Sequence, residues 1–266
     1  MKKAMRKHIK IMKCYFRMNL SSALEYRASF FVQAFGMALS NSSFIFFWWI
    51  AFSHVGGPIA GYSFNDVLFI WAAASSGYGL AHIFFANAAS LTQIIVTGEL
   101  DAFLLQPCNT LLNVICAKTS LSAYGDFMYG IVLMGIVFRG NGAAWLWFLV
   151  AVISSCILMT AILLIFNSLT FYIGDASAPS RIVTELMINM SIYPDKVYGP
   201  PVRALMYSLI PVGFAVHVPM RLLNGEPAIL ALAAFVGSAL FCVAAAWVFY
   251  NGLKRYESGN LIVTRL

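Results

Sequence analysis

The sequence contains few charged residues. Only 10% of its 266 residues are Asp, Glu, Lys or Arg, whereas 61% are hydrophobic. A soluble domain has about 25% charged and about 45–50% apolar residues. So small a charged fraction excludes an ordinary soluble enzyme and a disordered protein. The composition instead predicts an all-α polytopic membrane protein, because a helix satisfies its own backbone hydrogen bonds in lipid.

Cysteine is also scarce. The five cysteines are an odd number, are widely spread and form no Cys-x-x-Cys pair. A small disulfide scaffold has an even set of cysteines, and a structural zinc site brings its ligands at short, regular spacings. We therefore expect neither a disulfide framework nor a bound metal.

The sequence lacks the signature of a nucleotide-binding protein. A Walker A motif requires a Gly-Lys pair, because its backbone amides and lysine hold the phosphates. No Gly-Lys dipeptide occurs anywhere in the chain. The chain is thus expected to bind no cofactor itself, and any ATP that drives its function must bind to a separate protein.

Long apolar runs, in contrast, are abundant. A membrane helix needs about 20 apolar residues to cross about 30 Å of hydrocarbon. Five runs meet this requirement, at residues 30–52, 67–86, 111–138, 145–173 and 229–250. A shorter sixth run covers residues 182–193 and ends before Pro194. The sequence predicts six transmembrane helices in one permease domain, residues 1–266.

The apolar stretch at residues 194–224 contains five prolines. These are Pro194, Pro200, Pro201, Pro211 and Pro219. Proline removes a backbone donor and disfavours helix in the preceding residue, so one straight helix is excluded. Irregular backbone is tolerated at membrane depth only where protein or water satisfies it. We expect short re-entrant helices at the outer surface.

Basic residues concentrate before the first predicted span. Eight of the 17 Lys and Arg residues lie there: Lys2, Lys3, Arg6, Lys7, Lys10, Lys13, Arg17 and Arg27. Three more follow the last span: Lys254, Arg255 and Arg265. Lys and Arg near span ends favour the cytoplasmic side, so both termini are expected there.

The net charge of +7 therefore indicates topology and not a nucleic-acid partner. Apolar residues interleave with the lysines in residues 1–27, which predicts a basic amphipathic helix on the inner surface of the bilayer. A plain positively charged anchor is the alternative interpretation.

The loop at residues 87–110 has helical periodicity. Leu91, Ile94 and Ile95 share one helical face, and Gly98 separates them from a second apolar group that includes Leu100. We predict a pair of short amphipathic helices whose polar tip is Gly98, Glu99, Leu100 and Asp101. On periodicity alone, an interfacial loop with solvated carboxylates is the favoured interpretation.

Asp126 lies well inside the third predicted span. An ionisable group at such depth faces a cavity, an interface or a partner. Three roles remain open from the sequence: a contact in a translocation path, an interhelical hydrogen bond, and the proton site of a proton-coupled secondary transporter.

Residues 98–107, GELDAFLLQP, resemble the G-[DE]-L-D-x-x-L-L-x-P segment of ABC type-2 exporter permeases, and in particular a branch of small six-span permeases. Three further stretches resemble that branch in the same order. They are LEYRASFF at 24–31, the proline-rich stretch at 192–223 and GLKRYESGN at 252–260.

The resemblance implies that residues 88–106 dock on a separate cytoplasmic ABC ATPase, which binds ATP and Mg²⁺. The residues implied in coupling are Leu91, Ile94, Ile95, Gly98, Glu99, Leu100 and Asp101. It also implies that two permease subunits, identical or related, form an export path across a bacterial plasma membrane. The five prolines would belong to its outer gate.

Overall fold

The computed structural model describes residues 2–227 and 229–257, with the side chains of residues 8–227 and 229–257. In these ranges all regular elements are helices, which confirms the expected class. They are α1 (Lys2–Glu25), α2 (Arg27–Val55), α3 (Phe64–Phe85), α4 (Leu91–Val96), α5 (Leu100–Leu104), α6 (Thr110–Cys116), α7 (Ser122–Val137), α8 (Gly142–Ser168), α9 (Thr170–Ile173), α10 (Ser177–Ile192), α11 (Pro200–Met206), α12 (Val218–Leu223) and α13 (Ile229–Leu253). Short 3₁₀ turns cover Ala86–Ser90 and Asp195–Val197, and a π-helical turn covers Gly213–His217.

Four helical stretches are long and apolar enough to cross a membrane. They are Arg27–Val55, Phe64–Val96, Gly142–Ile173 and Ile229–Leu253. Helix α7 is apolar but has only 16 residues, and α10 also has 16. The bounds of α10 confirm that the sixth apolar run forms a short helix and that this helix ends just before Pro194.

The prediction of one continuous helix over residues 111–138 is wrong. The chain forms α6, leaves the helix after Cys116 and begins α7 at Ser122. Lys118, Thr119 and Ser120 interrupt the apolar pattern at this point, and Lys118 is exposed. The freed backbone finds another partner, since the Ser120 amide donates to the His82 carbonyl at 3.1 Å. The third span is consequently shorter than its apolar run.

Helix α1 divides into a basic and an apolar side. Lys10, Lys13 and Arg17 are exposed, whereas Tyr15 and Asn19 are half-buried. The Asn19 amide donates to the Cys116 carbonyl of α6 at 3.2 Å. The helix thus lies against the bundle by its less basic side. The side chains of Lys2, Lys3, Arg6 and Lys7, and all of Arg265, lie outside the described residues.

The segments predicted to be cytoplasmic meet at one end of the bundle. Tyr15 contacts Gln106 at 3.5 Å, and Asn109 donates to the Tyr250 hydroxyl at 2.7 Å. The segments predicted to be outside meet at the other end, where Asn224 donates to Asp66 at 3.1 Å. We call these the inner and outer ends, after the predicted sides.

Helix α3 is the central helix, and glycines allow α7 and α2 to approach closely. A Cβ on Gly79 of α3 would lie 2.6 Å from the Phe127 amide nitrogen of α7. A Cβ on Gly125 of α7 would lie 2.5 Å from the Ala34 carbonyl oxygen of α2. Small residues at such crossings let helix backbones touch in a membrane. This packing fixes the position of Asp126, which directly follows Gly125.

Candidate functional site

A cavity of about 240 Å³ lies among α2, α3, α7, α8, α10 and the π-helical turn. We call it the central cavity. Much of its wall is apolar, and the apolar side chains include Met37, Trp71, Leu158, Met159 and Met187. Its polar side chains are Asn41, Ser75, Tyr78, Asp126, Ser155 and Ser191. A largely apolar pocket with a few convergent polar groups is the usual form of a small-molecule site.

Asp126 is the acidic residue of the central cavity. Its side chain is buried, with 4% of its surface exposed. The Asn41 amide of α2 donates to Asp126 Oδ1 at 2.8 Å, whereas Oδ2 has no hydrogen-bond partner among the described residues. An interhelical hydrogen bond is therefore present, but it satisfies only half of the carboxylate.

Sequence reasoning missed Asn41. This residue is itself buried, and its amide also donates to the Met37 carbonyl at 2.9 Å. A signal was available, because an asparagine inside an apolar run is a costly group that usually has a partner. The sequence did not indicate which residue that partner is.

A second buried carboxylate lies at the outer end. Asp195 is 0% exposed, and its partners are Tyr62, Tyr207 and Arg221, which with Asp195 we call the outer cluster. The Tyr62 hydroxyl donates to Oδ1, the Tyr207 hydroxyl donates to Oδ2 at 2.8 Å, and the Arg221 guanidinium pairs with Oδ2. The outer cluster joins the loop after α2 to the proline-rich segment.

The outer cluster also sets the ionisation of Asp195. Burial alone would raise the pKa of its carboxyl group. The hydrogen bonds from Tyr62 and Tyr207, together with the charges of His217 and Arg221, outweigh burial and hold this pKa below its ordinary value. Burial, followed by Asp195 itself, raises the pKa of both tyrosines. The cluster therefore favours an ionised Asp195 that accepts hydrogen bonds from the un-ionised hydroxyls of Tyr62 and Tyr207.

A sequence model of the ABC-2 family transporter proteins matches residues 38–259. The chain belongs to this family. The match includes the outer cluster, the loop at residues 87–110 and the lining of the central cavity apart from Met37. No curated protein matches the chain by sequence. Membership in the ABC-2 family makes the chain a multi-pass membrane subunit for transport and not an enzyme.

In this ABC-2 chain, the loop at residues 87–110 has the predicted break at Gly98. Helices α4 and α5 flank this glycine, whose φ of 79° lies in the left-handed region that favours glycine. Leu91, Ile94, Ile95 and Leu100 are buried in the bundle. Glu99 is exposed, and Gly98 and Asp101 are half-buried. The implied coupling residues thus separate into an inward apolar group and an outward polar group.

The loop is also tied to the inner end of α8. The Thr92 hydroxyl donates to Asn167 Oδ1 at 2.8 Å and lies 2.9 Å from the Thr170 hydroxyl. All three residues are buried. Helix α4 is therefore hydrogen-bonded directly to α8. The loop also exposes Leu105, whose side chain is 87% exposed.

The five prolines break the outer segment as predicted. Pro194 caps the 3₁₀ turn, Pro200 and Pro201 begin α11, and Pro219 lies in the first turn of α12. Pro194, Pro211 and Pro219 are buried, whereas Pro200 and Pro201 are exposed. Short helices replace one straight helix, and the role of these prolines in an outer gate stays a prediction.

Proposed function

We propose that the chain is the membrane subunit of an ATP-driven exporter, working as a dimer with a separate ABC ATPase in the bacterial plasma membrane. Family membership supports transport by an ABC-type system. In this proposal α2, α3, α7, α8, α10 and α13 cross the membrane, so both termini lie on the same side, and the basic residues near them favour the cytoplasm. This topology agrees with the meeting of the basic termini and the loop at residues 87–110 at one end of the bundle.

The lengths of α7 and α10 require explanation in this topology. Each has 16 residues, or about 24 Å at 1.5 Å per residue, against about 30 Å of hydrocarbon. Helix α7 packs between α2 and α3, and just before its inner end the Ser120 amide donates to the His82 carbonyl, so neighbouring protein satisfies the backbone there. Irregular backbone is acceptable at membrane depth when protein covers it in this way.

The observation that best supports a dimer is the exposed side of α10. Arg181, Glu185 and Asn189 are exposed and lie four residues apart, so they form one polar stripe along the helix. Charged groups facing lipid are costly, and such groups normally face another subunit or a water-filled path. We infer that this stripe of α10 faces the second permease subunit across the export path.

Coupling to the ATPase would use the outward side of the loop. Glu99 and Leu105 are exposed there, while buried residues of α4 hold the loop against α8. An ATPase that moves the loop would thereby move α8. Direct contact by Leu91, Ile94, Ile95 and Leu100 is not required, because these residues would transmit the motion from inside the bundle.

The test is reconstitution of the chain with its ATPase in proteoliposomes. We expect the chain alone to hydrolyse no ATP and the complex to hydrolyse it. Glu99→Arg and Leu105→Asp should each weaken ATPase binding and lower substrate-stimulated hydrolysis by about tenfold, since central contacts of an interface each contribute about 1–2 kcal/mol. Full activity in both variants would contradict the coupling role.

Matched controls come from the outer end. Glu226→Arg changes another exposed glutamate, and Val55→Asp changes another exposed apolar residue. Neither residue faces the proposed ATPase site, so both variants should keep ATPase binding.

A proton-coupled secondary transporter is the second candidate, because Asp126 Oδ2 lies at the central cavity without a hydrogen-bond partner in the part of the chain that the structure describes. The two functions differ in their energy source. Substrate flux that follows a pH gradient without ATP would support the proton-coupled function, whereas flux that requires ATP and its hydrolysis would support the exporter.

A further inference from the structure

The central cavity has an acceptor that the protein itself leaves open. Asp126 Oδ2 is buried and has no hydrogen-bond partner among the described residues, although Oδ1 accepts from Asn41. A buried acceptor without a partner is energetically unfavourable, and more so when the group is charged. A ligand that donates to Oδ2 or carries a positive charge would remove this cost.

The rest of the wall favours a cation with an apolar body. Trp71 and Tyr78 offer aromatic rings, and aromatic rings attract organic cations. Met37, Met159 and Met187 add flexible, polarisable thioethers that adapt to different apolar shapes. Within the described part of the chain, the cavity lining includes no Lys, Arg or His. An anion would therefore meet a carboxylate and no countercharge.

We propose that the central cavity binds a lipophilic organic cation, a quaternary ammonium or protonated amine with attached apolar groups, next to Asp126. The proposal rests on the proposed export function, for which it names the substrate class. The cation lies near Oδ2, and its apolar groups contact the methionines and Trp71. A cavity of about 240 Å³ is below the roughly 300–1,000 Å³ of drug-sized sites, so the ligand is small or extends beyond the cavity.

The experiment compares two probes of the same shape. Phenyltrimethylammonium carries a quaternary nitrogen, and tert-butylbenzene has carbon at that position and no charge. Binding of radiolabelled phenyltrimethylammonium is measured on the full chain in phosphatidylcholine nanodiscs, with empty nanodiscs as background. We expect saturable binding that excess tert-butylbenzene does not displace. No saturable cation binding, or displacement by the neutral isostere at equal concentration, would overturn the proposal.

Two variants then locate the site. Asp126→Asn keeps the shape and removes the charge, and we expect it to weaken cation binding by about 30-fold or more. Trp71→Leu keeps the carboxylate and removes an aromatic ring, for an expected loss of about fivefold. Asp175→Asn removes an exposed carboxylate from the turn before α10 and should leave cation binding unchanged.

The outcomes are separable from those of the proposed function. Unchanged cation binding in Asp126→Asn overturns the inference even if the chain stimulates its ATPase. Absence of ATPase stimulation overturns the exporter even if the cation binds. The probe comparison uses the unaltered chain, so it remains decisive if Asp126→Asn does not yield folded protein.

Discussion

Asp126 and Asp195 are both buried carboxylates in an apolar chain, but their surroundings differ. Asp195 has hydrogen bonds or ion pairs on both oxygens, from Tyr62, Tyr207 and Arg221. Among the described residues Asp126 accepts one hydrogen bond, from Asn41, and its second oxygen lies at a cavity. A saturated carboxylate contributes to holding segments together, whereas a half-satisfied one retains the capacity to bind something else.

The difference teaches how to separate structural from functional charges in such a protein. A buried charge is expensive unless it is paired and hydrogen-bonded. Asp195 meets that condition within the chain, so removing its charge should mainly lower the stability of the fold. Asp126 does not meet that condition, so removing its charge should mainly weaken binding of the cation. Each of the following predictions tests this contrast.

The largest expected effect is on Asp195. Asp195→Asn removes the charge that faces Arg221, and it gives the two tyrosine hydroxyls a poorer acceptor. Breaking a buried ion pair by changing one partner costs about 3 kcal/mol. We expect a drop of that size in the free energy of unfolding, measured by denaturant titration in detergent. Glu226→Gln, at an exposed position, should produce no measurable change.

The next-largest expected effect comes from Gly125, the close-packed residue that precedes Asp126. Gly125→Ala places a Cβ 2.5 Å from the Ala34 carbonyl oxygen, so α2 must move away from α7. Overpacking of this kind costs about 1–3 kcal/mol. The shift also separates Asn41 from Asp126, so cation binding should fall together with stability.

Gly135→Ala is the matched control in the same helix. Nothing lies within 4 Å of a Cβ at Gly135, so the substitution should not destabilise the protein. Alanine is the better helix former by about 1 kcal/mol, and a small increase in stability is expected. Equal losses in the two variants would show that close approach of α2 and α7 is not the cause.

Asp126→Asn should have a smaller effect on stability than Asp195→Asn. Oδ2 has no hydrogen-bond partner to lose among the described residues, so we expect the free energy of unfolding to stay within about 1 kcal/mol of the unaltered protein, or to rise. Thermal melting of both variants in one detergent measures the difference. A larger loss for Asp126→Asn than for Asp195→Asn would reverse the comparison.

The smallest effect is a pH dependence of the outer cluster. Burial, with the hydrogen bond to Asp195, raises the pKa of Tyr62 in the folded protein. A raised pKa gives stability that is present below the ordinary value of about 10 and is lost as the pH rises above it. The melting temperature should therefore fall above about pH 10, and less steeply in Tyr62→Phe. Tyr26→Phe, at an exposed position, should leave the slope unchanged.

Much of the fold follows from local patterns in the sequence. The helical class, the proline-broken outer segment and the break at Gly98 each depend on composition or on one residue's backbone preference. The prediction of one continuous third span is wrong because the apolar residues on either side outweigh Lys118, Thr119 and Ser120 in the mean hydropathy of the run. The chain leaves the helix at these three residues.

The candidate site was less accessible to sequence reasoning. Asp126 was singled out from the sequence with three roles left open, but its partner Asn41 lies 85 residues away. Asp195 and Tyr62 lie 133 residues apart, and neither stood out alone. Helix packing brings such pairs together, and a single sequence contains no local pattern that identifies the two partners. The coupling residues were predicted as one group, and only burial separates Glu99 from Leu91.

Helix α8 has 27 residues and is about 40 Å long, so it extends through the whole bundle. Near its inner end Asn167 is bonded to Thr92, and the helix also packs against α12 and the π-helical turn of the outer segment. If α8 moves as one body, a displacement of its inner end also displaces the outer segment that packs against it. One helix would then link the two faces of the bundle without an intermediate element.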